Sequence, residues 1–323
     1  IRIGVMGCAS IAQRSVIPAI LSLPDQYELK CVASRSFEKA ESFAQLFNCK
    51  AVVGYDELLK EDIDAVYIPL PTGLHDEWIN RALVAGKHVY AEKSIATSHS
   101  SAIKMVNTAR FNDLALMEGY MFQYHPQHEV VKQLIASNEI GNIRSFRSSF
   151  GFPPLPSNNF RYDNEVGGGA LFDAAGYTVR AVHFVLGSDF EVKAATMYSD
   201  KVSETNLYGN AFLATEGGVG AHVSFGFDNF YQCNYEIWGS EGKITVNKAF
   251  TPGPEFKPTI LLEKQGDVQT ITVEACNHFI AAFQEFYDIV LDHKRREKHY
   301  GEILLQSKTL DSIREISAME NSQ

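Results

Sequence analysis

Cysteines and basic residues, which would indicate a metal site or a nucleic-acid surface, are scarce in this sequence. Five cysteines are an odd number and none lies in C-x-x-C spacing, so they predict neither a disulfide framework nor a cysteine-bound metal. Lys and Arg total 29 against 39 Asp and Glu, the formal net charge is −10, and no long basic run occurs. Nucleic acid is therefore excluded as a partner, because phosphate binding needs clustered cations.

Long apolar runs are also absent. No stretch approaches the roughly 18 apolar residues of a membrane span, and the chain opens on "IRIGVMG" without a charged leader. We therefore expect a cytoplasmic protein with no membrane contact. With 323 residues, 45% of them hydrophobic, the chain exceeds what one core holds comfortably, which predicts two domains.

Residues 1–120 alternate short apolar runs with helical patterns such as 36–47 and 98–110. The runs show little polar alternation, as expected of strands buried on both faces of a parallel sheet. This rhythm predicts an α/β, doubly wound Rossmann domain. The predicted strands are "IRIGVM", "ELKCVAS", "AVVG", "AVYIPL", "HVYAE" and "LALME".

Residues 121–323 have a different character. Alternating or Gly-punctuated runs predict a large, mostly antiparallel open sheet in a C-terminal α+β domain. Helical patterns at 168–186 and 277–293 accompany it, and a helix after Gly301 can pack on either domain. The predicted strands are "IRSFRSSFGF", "EVKAATMY", "GNAFLATEG", "GVGAHVSFGF", "YQCNYEIWGS" and "GKITVN".

The first predicted strand runs into "GCASIA", which fits the dinucleotide fingerprint only as G-x-A-x-x-A. Gly7 can make the tight turn, Ala9 allows a pyrophosphate a less close approach than glycine would, and Ala12 preserves close helix packing. Ser10 and Ile11 complete the predicted cofactor turn. The alternative is a turn that serves packing alone.

The second predicted strand ends in Ser34 and Arg35, where a domain that prefers NAD usually carries an acid. A hydroxyl and a guanidinium suit a 2′-phosphate, because arginine offers charge-assisted bonds to a dianion. The cofactor is therefore predicted to be NADP(H). The alternative is a solvated arginine at the start of a helix.

The fourth predicted strand leads into "PLPTGLHDEW". Prolines force an extended exit at the carboxyl edge of the sheet, where doubly wound folds bind ligands. Leu70, Pro71 and Thr72 are accordingly predicted to contact the cofactor. His75 lies near the start of the next helix, where it either faces the cofactor or serves the structure.

The run "HVYAEKSIA" delivers a carboxylate and an ammonium, Glu92 and Lys93, to the end of a buried strand. The order of the motifs around it resembles the glucose-fructose oxidoreductase / inositol dehydrogenase (Gfo/Idh/MocA) family over nearly the whole chain. Within that family the sequence is most similar to NADPH-dependent C-3 ketoreductases of nucleotide-activated sugars. The motifs are "GVMGCASIA", "YIPLPTGLHDEW", "AGKHVYAEK", "MFQYHPQH" and "GGGALFDAAGYTVR".

The family's Glu-Lys-Pro motif implies that Lys93 is the active-site lysine beside the nicotinamide, with Glu92 at the cofactor. Here Ser94 stands in place of proline. A cis bond before a residue other than proline costs about 2.5–4 kcal/mol, so a trans bond between Lys93 and Ser94 is expected.

Asp173 and Tyr177 are four residues apart, so on a helix they share one face. Tyr177 occupies the position of the family's proton donor. A reduced ketone needs such a donor, and a nearby lysine ammonium would lower the pKa of the phenol. Asp173 would orient the substrate or Lys93, and the alternative is a buried tyrosine bonded to Asp173.

Three further contacts are expected. "NFRYD" resembles the family's aromatic-arginine pair, which implies that Arg161 reaches the nicotinamide or phosphates. Phe122 and Tyr235 are candidate substrate contacts. His125 and His128 are expected to be polar residues between the domains, and no metal is predicted because no third ligand lies near them.

The resemblance implies NADPH-dependent reduction of a keto group, at C-3, of a nucleoside-diphosphate deoxysugar. The alternatives are a dehydrogenase of free sugars, inositols or dihydrodiols, and an NADP-sensing regulator without turnover. The aromatic-rich strands of the second domain suit packing between subunits, so a homodimer or homotetramer is expected.

Overall fold

The computed structural model describes residues 1–187, 189–199 and 204–320, without the side chain of residue 320. Their contacts divide the chain into two compact units. The first holds residues 1–119 and 279–307, and the second holds residues 120–278 and the described chain from residue 308 onward. The predicted second domain, 121–323, thus lends residues 279–307 to the first unit, and its last three residues lie outside the described residues.

The helices of the described chain begin and end with recognisable local signals. Ser36 caps α2, because its Oγ accepts a hydrogen bond from the Lys39 amide at 3.3 Å, and Ser98 caps α5 in the same way. The helices are Ile17–Leu21 (α1), Phe37–Phe47 (α2), Tyr55–Lys60 (α3), His75–Val84 (α4), His99–Phe111 (α5), Pro126–Ala136 (α6), Gly176–Leu186 (α7), His278–Leu291 (α8) and His293–Glu320 (α9).

The first unit contains a parallel sheet, which confirms the predicted doubly wound fold. Its strand order is β3-β2-β1-β4-β5-β6, and the order reverses between β1 and β4. Ligands of such sheets bind where the order reverses, at the carboxyl ends of the strands. The strands are Arg2–Met6 (β1), Glu28–Ser34 (β2), Lys50–Val53 (β3), Ala65–Ile68 (β4), His88–Ala91 (β5) and Leu116–Glu118 (β6).

The second unit contains a larger sheet of order β14-β13-β12-β11-β7-β10-β9-β8. Its described pairings are antiparallel except that β7 runs parallel to β10. The predicted open sheet is therefore confirmed, with β13 and β14 as additions. The strands are Ile143–Phe152 (β7), Glu191–Ser199 (β8), Asn206–Ala214 (β9), Gly220–Phe227 (β10), Gln232–Gly239 (β11), Gly242–Val246 (β12), Thr259–Lys264 (β13) and Asp267–Thr272 (β14).

A helix covers part of one face of this sheet. Helix α7 packs on β7 and β10, and alternate residues of β7, Phe146 and Phe150, are buried. Arg147, between them, is exposed. None of the described helices combines the length and the apolar character needed to cross a membrane.

Candidate active site

The turn after β1 requires glycine. Gly7 has φ +122°, and a Cβ there would lie 3.0 Å from Cδ2 of Leu70. Its amide donates to the Ala33 carbonyl at 2.9 Å. The carboxyl ends of β1 and β4 therefore approach each other closely, at the point where the strand order reverses.

The rest of the predicted cofactor turn leads into a π-helical turn, Ala12–Val16, which continues as α1. Ala12 is fully buried, in agreement with a packing role. The three residues before the π-helical turn lie nearer the surface, with Ser10 exposed and Ala9 and Ile11 half-buried. Small residues here leave the backbone accessible to a bulky anionic ligand.

The end of β2 gathers positive charge. Ser34 is buried, and its Oγ accepts a hydrogen bond from the Ser36 amide at 3.2 Å. Arg35 is exposed and bonds to the hydroxyl of Tyr55; burial raises the pKa of that phenol and the guanidinium opposes the rise. Lys39, an exposed residue of α2, adds a second cation.

Lys39 was not singled out by its sequence. The structure brings its backbone carbonyl to 3.6 Å from the Cys8 thiol of the β1 turn. Burial raises the pKa of Cys8, and the charge of Lys39 works in the opposite direction. The position of Lys39 in the first turn of the helix after β2 is the sequence signal that could have identified it.

The loop after β4 is fixed by His75. Its side chain is fully buried, with Nε2 2.8 Å from the Leu70 carbonyl and Nδ1 3.0 Å from the Ser94 carbonyl. Burial lowers the pKa of His75 to about 4, so near neutral pH the ring carries one N–H. That N–H donates to one of the carbonyls that surround the ring, and the full burial of the side chain favours the structural alternative for His75. Pro71 is half-buried, and Thr72 opens a short 3₁₀ turn.

Glu92, the acid of the "EK" pair, has a structural role at the end of β5. Oε1 of Glu92 accepts a hydrogen bond from the buried hydroxyl of Tyr67 at 2.7 Å, which anchors the end of the strand. Lys93 follows, half-buried. The bond between Lys93 and Ser94 is cis, so the expected trans bond is wrong. Tertiary contacts decide this bond, since Ser94 is buried and its carbonyl contacts His75.

In the second unit, Asp173 is held by Arg161. The guanidinium donates from Nε to Oδ2 at 2.6 Å, and the two side chains are 28% and 14% exposed. The loop around Arg161 is fastened at Gly168 and Gly169: a Cβ on Gly168 would lie 2.6 Å from the Arg161 carbonyl, and the Gly169 amide donates to that carbonyl at 2.9 Å. The predicted contact of Arg161 with cofactor remains a prediction.

Tyr177 lies in the first turn of α7, and Asp173 lies before it in a π-helical turn, Leu171–Ala175. The Tyr177 side chain is 5% exposed and packs against Phe150 and Tyr120, with ring centroids 4.7 and 5.5 Å away. The hydroxyl donates to Sδ of Met121 at 3.8 Å. The phenol thus has an apolar, shielded surrounding within its own unit.

Phe122 and Tyr235 are fully buried, and their contact with substrate remains a prediction. Phe122 packs on Tyr177 and other rings of the second unit. The Tyr235 hydroxyl lies 2.8 Å from Nδ1 of His128, and burial raises the pKa of Tyr235 and lowers that of His128 to about 3. His128 also contacts the Ala249 carbonyl. This network could not be predicted from the sequence, because its residues lie in apolar and aromatic-rich runs that indicate only burial.

The first unit therefore brings Gly7, Leu70, Ser34, Arg35 and Lys93 to the carboxyl edge of its sheet, and the second unit joins Asp173 to Arg161 near Tyr177. The glycine turn and the cations at the end of β2 fit a phosphorylated dinucleotide. Across residues 1–187, 189–199 and 204–320, no group of three or more His, Cys, Asp or Glu side chains is arranged to hold a metal ion.

Two family models match the chain. "Oxidoreductase family, NAD-binding Rossmann fold" matches residues 1–120, and "GFO/IDH/MocA C-terminal domain" matches residues 128–245. A dTDP-3,4-didehydro-2,6-dideoxy-alpha-D-glucose 3-reductase from Saccharopolyspora spinosa is 46% identical over 85% of this chain and 83% of its own length. A reductase of the same description from Actinomadura kijaniata is 40% identical over 97% of this chain and 95% of its own.

A solved structure is similar over the same extent. The crystal structure of a 3-ketoreductase from Actinomadura kijaniata, in complex with NADP and TDP-benzene, has a TM-score of 0.95 and 39% identity, covering 98% of this chain and 97% of that one. Both halves of the chain, its fold and its relatives agree. The chain belongs to the GFO/IDH/MocA (glucose-fructose oxidoreductase / inositol dehydrogenase) family of oxidoreductases.

Proposed function

We propose that this oxidoreductase uses NADPH to reduce the C-3 keto group of a dTDP-linked deoxysugar. The observation that carries the proposal is the similarity of the chain to dTDP-sugar 3-reductases over most of its length. The chain also carries a lysine after β5, Lys93, and a tyrosine in the first turn of α7, Tyr177. The solved 3-ketoreductase contains NADP and TDP-benzene, a nucleotide ligand of the matching class.

NADPH, when bound, supplies the hydride that adds to the carbonyl carbon. As the carbon–oxygen π bond opens, its electron pair moves to oxygen, and the Tyr177 hydroxyl gives its proton to that oxygen. The tyrosinate then regains a proton from solvent. The rings of Tyr120 and Phe150 pack against Tyr177 and hold the phenol that delivers the proton.

Lys93 and Asp173 prepare the transfer. An ammonium near a phenol favours the phenolate, so Lys93 lowers the pKa of Tyr177 and eases loss of its proton. Lys93 also donates a hydrogen bond to the substrate oxygen. Asp173, held by Arg161, orients the substrate hydroxyl or the lysine.

The first unit binds the cofactor. The turn at Gly7, with Ala9, Ser10 and Ile11, receives the pyrophosphate, and the loop from Leu70 to Thr72 lies beside the nicotinamide half. Ser34 and Arg35 bind the 2′-phosphate, since a hydroxyl and a guanidinium both donate to a dianion. Lys39 adds charge there, and Glu92 and His75 hold the loops that contact the ligand.

We further propose a cytoplasmic homodimer or homotetramer. All five cysteines are free thiols, which suits a reducing compartment. Tyr208 of β9, Trp238 of β11 and Phe230 between β10 and β11 are 42%, 57% and 86% exposed, and such aromatics are enriched where protein surfaces meet. Sedimentation equilibrium tests the assembly, with a monomer at micromolar concentration as the contrary result.

The activity is tested by following NADPH absorbance with purified protein. The dTDP-linked 3-ketosugar should be reduced, while the same sugar without its nucleotide should react at least about 100-fold less efficiently, because remote binding energy is used to position the reacting carbon. Preference for free sugars, inositols or dihydrodiols would contradict the substrate class. Cofactor binding without turnover of any of these would indicate a regulator.

A further inference from the structure

The peptide unit that follows the active-site lysine by one residue is held on both sides. The Ile95 amide donates to Oε1 of Glu118 at 2.8 Å, and the Ser94 carbonyl on the same peptide lies 3.0 Å from Nδ1 of His75. Ser94 and Ile95 are each 1% exposed. Solvent therefore does not replace Glu118 as the acceptor of the Ile95 amide.

Glu118 sits where strand pairing gives it little freedom. It is the last residue of β6, pairs with Ala91 of β5, and is 7% exposed. The next residue, Gly119, packs so tightly that a Cβ would come 3.0 Å from the Ala91 carbonyl and 3.2 Å from Cα of Glu92. The carboxylate is thus fixed to the same strand end that carries Lys93.

An acid is an unusual choice at this position. The preceding residues of β6, Leu116 and Met117, are fully buried, and a buried carboxylate is costly unless it accepts hydrogen bonds. An apolar residue would complete the strand at lower cost. The acid supplies what an apolar residue lacks, an acceptor aimed at the loop that begins with Lys93.

We propose that Glu118 is a positioning residue that fixes the backbone of Lys93 through the peptide between Ser94 and Ile95. This rests on the proposed function of Lys93 at the substrate carbonyl. Lysine has a long side chain, so the place of its ammonium depends on a firmly held Cα. A displacement of about 1 Å at a reacting group can lower turnover about 100-fold.

The contact is tested first without substrate. Amide hydrogen exchange at Ile95 should be about 10- to 100-fold faster in Glu118→Ala than in the wild type, and near the wild-type rate in Glu118→Gln, whose amide oxygen can still accept. Glu57→Ala, a matched change at an exposed glutamate of the same unit, should leave the exchange of Ile95 unchanged. Unchanged exchange in Glu118→Ala would overturn the proposal.

Turnover is the second readout. Glu118→Ala should lower kcat about 100-fold with KM for NADPH and sugar within about 3-fold of wild type, and Glu118→Gln should recover most of the loss. In a Lys93→Ala background, Glu118→Ala should cause no further loss. A multiplied loss in the double variant, or equal kcat in Glu118→Ala and wild type, would overturn the positioning role.

The two readouts separate this proposal from the proposed function. If the wild type does not reduce the dTDP-linked ketosugar, the function fails while the exchange experiment still decides the contact. If Glu118→Ala does not fold, Glu118→Asp replaces it, because a side chain shorter by one methylene withdraws the acceptor from Ile95. Glu118→Asp should then show both the faster exchange and the lower kcat, and wild-type values for both would contradict the proposal.

Discussion

Arg161 donates a hydrogen bond from Nε to Oδ2 of Asp173 across 2.6 Å, and both side chains are largely shielded from solvent. Removing one partner of such a pair leaves a poorly solvated charge. The bond joins the loop before the Gly-rich segment to the helical turn that precedes Tyr177. This ion pair predicts that Arg161 acts through Asp173; the alternative is the cofactor contact predicted from the sequence.

Arg161→Ala should therefore lower kcat about 10- to 100-fold through misplacement of Asp173, with the NADPH dissociation constant within about 2-fold of wild type. Fluorescence titration of NADPH and steady-state kinetics measure the two effects. Lys257→Ala, which breaks an exposed pair with Glu274 in the same unit, is the control. A large rise in the NADPH dissociation constant would instead place Arg161 on the cofactor.

The proposed 2′-phosphate site at the end of β2 predicts which cofactor binds. Arg35→Ala should weaken NADPH binding about 10- to 100-fold and leave NADH binding unchanged, because only NADPH carries the 2′-phosphate that the guanidinium binds. Lys39→Ala should give a smaller loss with the same selectivity. Lys30→Ala, near the opposite end of the same strand, should change neither affinity. Equal losses for NADPH and NADH would contradict the 2′-phosphate assignment.

Buried histidines predict acid sensitivity. Burial lowers the pKa of His128 from 6.5 to about 3, so on acidification the unfolded chain takes up the proton first. This contribution to stability is complete above the unfolded pKa and is lost as pH falls from about 6.5, by about 1.4 kcal/mol per pH unit, until the folded pKa is reached. Burial lowers the pKa of further histidines to about 4, namely His75, His125, His183 and His278.

Urea unfolding between about pH 7 and about pH 5 should show this loss. His128→Phe removes one such group and should flatten the dependence on pH by the share of one proton, although it lowers the stability at neutral pH by removing the bond to Tyr235. A slope identical to that of the wild type would mean that His128 takes up a proton in the folded state.

Arg296 stabilises the first unit. It is 6% exposed, donates to the Ile289 and Val290 carbonyls at the end of α8, and bonds to Asp113. Arg296→Met leaves these buried carbonyls without a donor and should lower the free energy of unfolding by about 3 kcal/mol. Differential scanning calorimetry measures the effect.

Its neighbour provides a matched control. Arg295 pairs with Glu285 and Asp288, but its side chain is 42% exposed. Arg295→Ala should therefore cost less than about 1 kcal/mol, as surface pairs do. Equal losses from the two variants would contradict a special role for the buried arginine.

Much of the fold could be predicted from the sequence. The strands of the first sheet are buried on both faces, so runs such as that of β4 are continuously apolar and easy to recognise. β14 escaped recognition because it is an edge strand whose residues are nearly all exposed, which leaves little hydrophobic pattern. The return of residues 279–307 to the first unit depends on packing across long sequence separations, such as the bond from Tyr300 to the Leu114 carbonyl.

The site could be predicted from the sequence only where a motif places a residue at the end of a strand. Gly7, Arg35 and Lys93 lie within two residues of the ends of β1, β2 and β5, and Ser34 ends β2; their positions at strand ends were predictable. The cis bond before Ser94 was not, since local energy favours trans and only tertiary contacts decide otherwise. Nor was Glu118, because its partner Ile95 is 23 residues distant and nothing in "LALME" reveals what its carboxylate accepts.

The most direct test of the central claim is a crystal structure of the protein with NADP⁺ and a dTDP-linked sugar. The account predicts that Nζ of Lys93 and Oη of Tyr177 both lie within about 3 Å of the sugar C-3 oxygen, beside C4 of the nicotinamide. A complex in which either atom lies more than about 6 Å from that oxygen, with the ring and the sugar both well ordered, would contradict it.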